Sequence, residues 1–114
     1  MKVLIADDEI NIILLIKSLI DRQKTDVEII GEAGDGITAL EMVRRLKPDV
    51  VITDIRMPGM SGMDLIRHVR EEQIPVEFVI ISGYSEFEYA RSAIQYGVSD
   101  YLLKPVRKDE LNDV

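Results

Sequence analysis

Acidic side chains follow two of the short apolar runs in this sequence of 114 residues, at the point where each run ends. Asp7, Asp8 and Glu9 follow the first run, and Asp54 follows Val50–Thr53. Carboxylates that are crowded together repel one another, and a hard divalent cation relieves that repulsion. Mg²⁺ prefers oxygen ligands and is typically bound by one or two carboxylates together with phosphate oxygens. These residue types therefore predict a Mg²⁺ site where one carboxylate can attack a phosphoryl group and become an acyl phosphate.

Two further polar groups follow apolar runs later in the chain. Ser82 comes directly after Phe78–Ile81, and Lys104 comes directly after Tyr101–Leu103 and precedes Pro105. A lysine ammonium is a flexible point charge that suits a phosphoryl oxygen. A serine hydroxyl can donate a hydrogen bond to another phosphoryl oxygen. Both residues therefore fit the phosphoryl chemistry that the acidic residues indicate.

Each of these residues also has a simpler interpretation when it is taken alone. Asp7 and Asp8 fit an N-cap pair for the helix that follows, and Asp54 fits an ordinary turn residue. Ser82 fits a loop hydroxyl, and Lys104 fits a solvated surface charge. The occurrence of all of them at the ends of separate predicted strands favours one shared site.

Short apolar runs alternate along the whole chain with apolar residues at helical spacing, which predicts five strands and five helices. The predicted strands are residues 3–6, 27–30, 50–53, 78–81 and 101–103, and the predicted helices lie around 12–20, 37–46, 63–69, 87–94 and 108–114, with a loop at 31–36. Such alternation predicts an α/β fold with a parallel sheet and helices on both of its faces. We expect the flavodoxin-like doubly wound (βα)5 form, in which the five-stranded sheet has the order 2-1-3-4-5. Strands one and three are neighbours in this order, so the acidic residues would share one edge of the sheet.

Composition excludes several classes of function. The net charge is −7 and no run is rich in lysine and arginine, so we expect no direct binding of nucleic acid by this segment. The absence of cysteine excludes disulfides, zinc-thiolate sites and cysteine nucleophiles. The apolar stretches are too short for a membrane span or a signal peptide. We therefore expect a cytoplasmic protein that does not associate with membranes.

The motifs as a set resemble the receiver domain of bacterial two-component response regulators. The resemblance runs from Lys2 to the chain end and depends on residues 5–9, on Asp54 with the loop 57–62, and on residues 82–84 and 101–105. It implies that Asp54 is a phosphoacceptor, phosphorylated by a sensor histidine kinase in a reaction that needs Mg²⁺ or Mn²⁺. It also implies a signalling domain that is not a turnover enzyme.

The same resemblance implies a role for each candidate site residue. Asp8 would bind the metal directly, Asp7 mainly through water, and Asp54 and the main-chain carbonyl of Arg56 would complete the protein ligands. The switch and phosphoryl-contact residues would be Ser82, Tyr101 and Lys104, and the peptide before Pro105 would be a candidate cis peptide. Phosphorylation would change the face made by helix four, strand five and helix five.

The sequence at residues 54–59 and 82–90 resembles one subgroup of this family, in which an AraC-type helix-turn-helix domain follows the receiver domain. We therefore expect residues 1–114 to be one receiver domain that stops within its last helix. A DNA-binding output domain for transcription regulation would follow Val114. A phosphorylation-dependent homodimer is a further expected assembly.

Two other classes of protein share part of this pattern. A haloacid-dehalogenase-like phosphatase needs acids at positions i and i+2 after strand one, which Asp7 and Glu9 satisfy, but the chain lacks a cap domain and the expected threonine. A flavin-binding module needs a phosphate-binding loop rich in serine and threonine after strand one. Asp7, Asp8 and Glu9 occupy that position and would repel a phosphate.

Overall fold

Five strands and three helices make up the part of the chain that the computed structural model describes, which is residues 1–20, 27–83, 97–98 and 100–103. The strands are β1 (Lys2–Ala6), β2 (Glu28–Ala33), β3 (Val50–Thr53), β4 (Glu77–Ser82) and β5 (Asp100–Leu103), and the helices are α1 (Ile10–Leu19), α2 (Gly36–Leu46) and α3 (Gly62–Glu71). The helices expected around 87–94 and 108–114 lie outside the described residues.

The strands pair in parallel to form one sheet, in the order β2-β1-β3-β4-β5. The predicted parallel sheet is confirmed, with β2, β1, β3 and β4 in the predicted order. The β1 and β3 strands are direct neighbours, with Ala6 opposite Thr53 at their carboxyl ends. Any side chain that directly follows either strand therefore begins at the same edge of the sheet.

Both faces of the sheet are covered around β1 and β3, which explains why these two strands have continuous rather than alternating apolar runs. Val3 and Ile5 of β1 belong to a buried cluster with Ile13 and Ile16 of α1. Leu4, on the opposite face of β1, belongs to the cluster that includes the apolar sides of α2 and α3. The helices thus hold β1 and β3 rigidly in the middle of a three-layer core.

The second strand is longer than the sequence indicated. The loop predicted for residues 31–36 is wrong for its first half, because Gly31–Ala33 belong to β2. After a register shift, β1 pairs Leu4 with Gly31 and Ala6 with Ala33, so the strand continues. A Cβ at Gly31 would lie 2.9 Å from the terminal methyl carbon of Met42, so a larger residue there would require that flexible side chain to shift.

The two helices that flank the site region begin with side-chain caps. Asp35 accepts a hydrogen bond of 2.7 Å from the backbone N–H of Thr38 at the start of α2, and Ser61 accepts one of 3.1 Å from Asp64 at the start of α3. These bonds satisfy backbone donors that lack a partner within the helix. Across the described ranges, every helix is too short or too polar to span a membrane.

Candidate functional site

The two buried acidic residues lie directly beyond the ends of neighbouring strands. The backbone N–H of Asp7 donates to the carbonyl of Ala33 over 2.9 Å, and that of Asp54 donates to the carbonyl of Ala6 over 3.0 Å. Only 2% of Asp7 and 5% of Asp54 is exposed. Backbone pairing therefore carries both carboxylates to one edge of the sheet and keeps them out of bulk solvent.

Four carboxylates converge at this edge. One oxygen from each of Asp7, Asp8, Glu9 and Asp54 lies within 4.8 Å of the others. Two ligands on opposite sides of a Mg²⁺ ion are about 4.2 Å apart, so the cluster has the dimensions of a single cation site with room for water. The donor set consists of carboxylate oxygens alone, which suits a hard cation such as Mg²⁺ or Mn²⁺. The residues present therefore fit the metal that the sequence predicted.

Backbone donors set the orientation of the two buried carboxylates. The N–H of Ile55 donates to Oδ1 of Asp54 over 2.7 Å, and the N–H of Glu9 donates to Oδ1 of Asp7 over 2.9 Å. Each bond spans one or two residues of the chain, so it forms as soon as the local turn forms. The carboxylates are thereby preorganised.

The simpler interpretation of Asp7 and Asp8 as a helix cap does not agree with the geometry. The N-cap residue of α1 is Glu9, and no side chain caps the helix there. The predicted metal ligands did not include Glu9, although its carboxylate belongs to the cluster. The only signal in the sequence was its place in the acidic run that ends the first strand.

The loop after Asp54 is held tightly against the strand end. The N–H of Gly62 donates to the carbonyl of Ile55 over 2.7 Å, and a Cβ at Gly62 would overlap the carbonyl oxygen of Asp54. The hydroxyl of Thr53 donates to that same carbonyl over 2.9 Å. Arg56, whose main-chain carbonyl was predicted to bind metal, lies in this segment with an exposed side chain.

The remaining predicted residues lie farther along the sheet or outside the described residues. Ser82 is the last residue of β4 and pairs with Leu103, and Tyr101 of β5 pairs with Ile80. Both lie on strands at the side of β3 away from β1. Lys104 and Pro105 lie outside the described residues.

One acidic residue at the same edge serves a helix and does not belong to the four-carboxylate cluster. Asp35 follows β2, and its carboxylate accepts hydrogen bonds from the backbone N–H of Thr38 and, over 3.0 Å, from its hydroxyl. The backbone bond from Thr38 is the largest of the causes that lower the pKa of Asp35 from its ordinary value. A helix cap thus uses this carboxylate.

A comparison with protein-family models matches almost the whole chain to one family. The family model described as the response regulator receiver domain matches residues 3–114. The chain belongs to this family. It is a receiver domain of a two-component response regulator, which confirms the resemblance that its sequence motifs indicated.

Two of the relatives of this receiver domain are named as transcriptional regulatory proteins. It is 41% identical over 110 residues to the uncharacterized transcriptional regulatory protein YesN of Bacillus subtilis, covering 96% of this chain and 30% of that protein. It is 40% identical over 110 residues to the transcriptional regulatory protein HptR of Staphylococcus aureus, covering 96% of this chain and 43% of that protein. The chain thus spans less than half the length of these relatives.

Solved receiver domains have the same fold. The receiver domain of AraT, a response regulator from Geobacillus stearothermophilus, superposes with a TM-score of 0.92 at 43% identity, covering 98% of this chain and 87% of that one. The receiver domain of the putative response regulator NarL from Mycobacterium tuberculosis gives a TM-score of 0.89 at 31% identity, covering 98% and 90%. These likenesses establish the flavodoxin-like receiver fold.

Proposed function

We propose that Asp54 is the phosphoacceptor of this receiver domain and that its phosphorylation by a sensor histidine kinase depends on Mg²⁺. The observation that carries the proposal is the convergence of four carboxylates within 4.8 Å at the end of β3, with Asp54 buried among them. Membership in the response regulator receiver family supports the identity of the donor as a histidine kinase. The domain acts in the cytoplasm, where such kinases present their phosphohistidine.

Asp7, Asp8 and Asp54 and the main-chain carbonyl of Arg56 would hold the metal, with Mn²⁺ as an alternative ion. The bound cation supplies positive charge that offsets both the carboxylate repulsion and the charge on the transferring oxygens. The bond from the Ile55 N–H holds Oδ1 of Asp54, which fixes the plane of the nucleophile before the donor arrives. Burial excludes water that would compete for the phosphoryl group.

Transfer is a direct displacement at phosphorus. An oxygen of the Asp54 carboxylate forms a bond to phosphorus while the phosphorus–nitrogen bond of the phosphohistidine breaks. The leaving imidazole keeps the bonding electron pair and takes a proton from solvent. The product is an acyl phosphate on Asp54, and positioning and charge stabilisation supply most of the rate enhancement.

The stored phosphoryl group then biases a switch. Lys104 contacts one phosphoryl oxygen and Ser82 another, and Tyr101 turns into the space that Ser82 vacates. The face of helix four, β5 and helix five changes shape as one population of the domain grows at the expense of another.

The output of the switch lies beyond the receiver domain. The curated relatives are transcriptional regulators more than twice the length of this chain, which supports a DNA-binding output domain after it. We propose an AraC-type helix-turn-helix domain, controlled by the switch face, with a homodimer that forms on phosphorylation. The receiver segment itself does not bind DNA, because its net charge is −7.

Phosphoryl incorporation from acetyl phosphate tests the first step. The wild-type chain is expected to take up one phosphoryl group when Mg²⁺ is present, and intact-mass measurement follows the uptake. Asp54→Ala is expected to take up none, because the nucleophile is gone. Unchanged incorporation in Asp54→Ala would contradict the proposal.

A second assay separates a signalling domain from a phosphatase. The proposal expects no turnover of a generic phosphate ester, because Asp54 stores the group and does not process a metabolite. Multiple turnovers of p-nitrophenyl phosphate that are lost in Asp54→Ala would instead favour an aspartyl phosphatase.

A further inference from the structure

The first residue of α2 lies against the loop that follows Asp54, although the two are distant in sequence. A Cβ at Gly36 would overlap the carbonyl oxygen of Met60 and would lie 2.6 Å from both the carbonyl carbon and the Cβ of Met60. Gly36 is buried and helical, so the backbone conformation there does not require glycine. The requirement comes from space, because the Met60 carbonyl occupies the place of a side chain.

The next residue of α2 makes a second contact with the same loop. Gly59 has a positive φ of 77°, and a Cβ there would lie 3.1 Å from Cδ1 of Ile37. The Ile37 side chain therefore covers Gly59 from the side of α2, while 51% of it remains exposed. Two successive residues of α2 thus bear on two successive residues of the loop.

Just beyond Met60, the residue that ends the loop bears on the phosphoacceptor itself. Gly62 has no room for a Cβ because the Asp54 carbonyl oxygen lies against it, and its N–H donates to the carbonyl of Ile55 over 2.7 Å. The loop is thereby fixed at Gly36 on one side and at Asp54 on the other. Arg56 lies within the segment that these two contacts hold.

We propose that Gly36 is a positioning residue for the metal and phosphoryl site: its missing side chain seats the Met60 carbonyl on α2 and thereby sets the position of the Arg56 carbonyl relative to Asp54. This inference rests on the function proposed above for Asp54. Helix α2 contributes no group to the acidic cluster, yet it would then help to determine the affinity for the metal.

The expected sensitivity follows from the coordination of Mg²⁺. The ion demands near-ideal octahedral geometry at 2.0–2.1 Å from its ligands, so a ligand that shifts by a few tenths of an ångström binds poorly. Changes behind the ligands of a metal site typically cost about ten- to a hundredfold in affinity. A methyl group at position 36 must displace the Met60 carbonyl, and the loop is short enough to carry that displacement to Arg56.

The chain offers a matched control for this substitution. A Cβ at Gly34 would have no atom within 4 Å, so Gly34→Ala adds the same methyl group two residues away without a clash. We expect Gly36→Ala to bind Mg²⁺ about tenfold more weakly than Gly34→Ala in an isothermal calorimetric titration. Urea unfolding in a chelator is measured on both variants, so that a loss of metal affinity is separated from a loss of fold.

Equal Mg²⁺ affinities in folded Gly36→Ala and Gly34→Ala would overturn the inference. If Gly36→Ala does not fold, Ile37→Ala decides, because it removes the cover from Gly59 without a clash. Its control is Leu14→Ala on α1, at a side chain 54% exposed. Weaker Mg²⁺ binding in Ile37→Ala than in Leu14→Ala supports the inference, and equal binding contradicts it.

The outcome for the wild-type chain keeps this inference distinct from the proposed function. A wild-type chain that neither binds Mg²⁺ nor is phosphorylated contradicts the proposed function and removes the basis of the inference. A wild-type chain that does both, beside a Gly36→Ala variant with unchanged affinity, contradicts the inference alone.

Discussion

Acidic residues stand at both edges of the sheet, and the two edges use them differently. At the amino edge, the exposed Asp49 accepts a hydrogen bond of 2.7 Å from the backbone N–H of Lys2 and donates its own N–H to the Lys2 carbonyl over 2.9 Å. The N–H of Glu77 donates to the Asp49 carbonyl over 3.0 Å. At the carboxyl edge, Asp7 and Asp54 are buried and face two further carboxylates.

The difference shows which property marks a functional acid in this fold. An exposed carboxylate that ties two strand starts together keeps its hydration and stabilises the sheet locally. Carboxylates that are buried side by side lose hydration and repel one another, and a bound cation offsets that cost. Residue type alone does not separate the two edges, since both contain aspartate and glutamate.

The largest effect is expected from matched substitutions at the two edges. Asp54→Asn removes the nucleophile and is expected to abolish phosphoryl incorporation from acetyl phosphate. Asp49→Asn keeps an oxygen acceptor for the Lys2 N–H and is expected to incorporate at the wild-type level. Intact-mass measurement reports the incorporation in both variants. A comparable loss of incorporation in the two would contradict the functional difference between the edges.

Metal binding is expected to stabilise the folded chain through the acidic residues of the carboxyl edge and not through those of the amino edge. A ligand that binds only the folded state at a hundred times its dissociation constant stabilises that state by about 2.7 kcal/mol. We expect Mg²⁺ at that ratio to raise the free energy of unfolding of the wild-type chain by this amount, and a chelator to remove the gain. Asp8→Asn should lose most of the gain and Glu77→Gln none, as denaturant unfolding can measure.

The contact between α3 and Asp54 is expected to matter for stability as well as for the site. Gly62→Ala places a methyl group against the Asp54 carbonyl, and overpacking of this kind costs about 1–3 kcal/mol. Gly34→Ala, with open space around its Cβ, is expected to have the same urea midpoint of unfolding as the wild-type chain. Equal midpoints for the two variants would show that the carboxyl edge is less tightly packed than the contacts indicate.

The smallest effect concerns Asp35, the carboxylate at this edge that caps α2. Its pKa is lowered in the folded chain, chiefly by the Thr38 N–H, so the unfolded state takes up a proton at higher pH than the folded state. The contribution of Asp35 to the free energy of unfolding is therefore complete above the ordinary pKa of aspartate. It is lost as the pH falls through the lowered pKa of the folded state. Asp35→Asn keeps the cap without this titration.

Unfolding curves of wild type and Asp35→Asn between about pH 6 and about pH 3 measure this contribution. The stability of the wild type is expected to fall more than that of the variant as the pH decreases through this window. If stability depends on pH in the same way in both proteins, titration of Asp35 does not contribute to the loss of stability in acid.

The sequence predicted much of the fold because the apolar runs that mark buried parallel strands are local features. Val50–Thr53 is a strand as predicted, and β2, β1, β3 and β4 lie in the order expected for the flavodoxin-like fold. The prediction failed at Gly31–Ala33, where a glycine indicated a loop. Pairing with β1 continued the strand, and that pairing is a long-range interaction that no window of sequence contains.

The acidic run, Asp54 and the family motifs were all visible in the sequence, because a strand that ends in a carboxylate can be recognised from neighbouring residues. Convergence of Glu9 with the other three carboxylates, and the seating of the Met60 carbonyl on Gly36, depended on the tertiary structure. The physical reason is distance along the chain. Local chemistry determines which residues are capable of a reaction, whereas the close packing of segments far apart in sequence decides which of them meet.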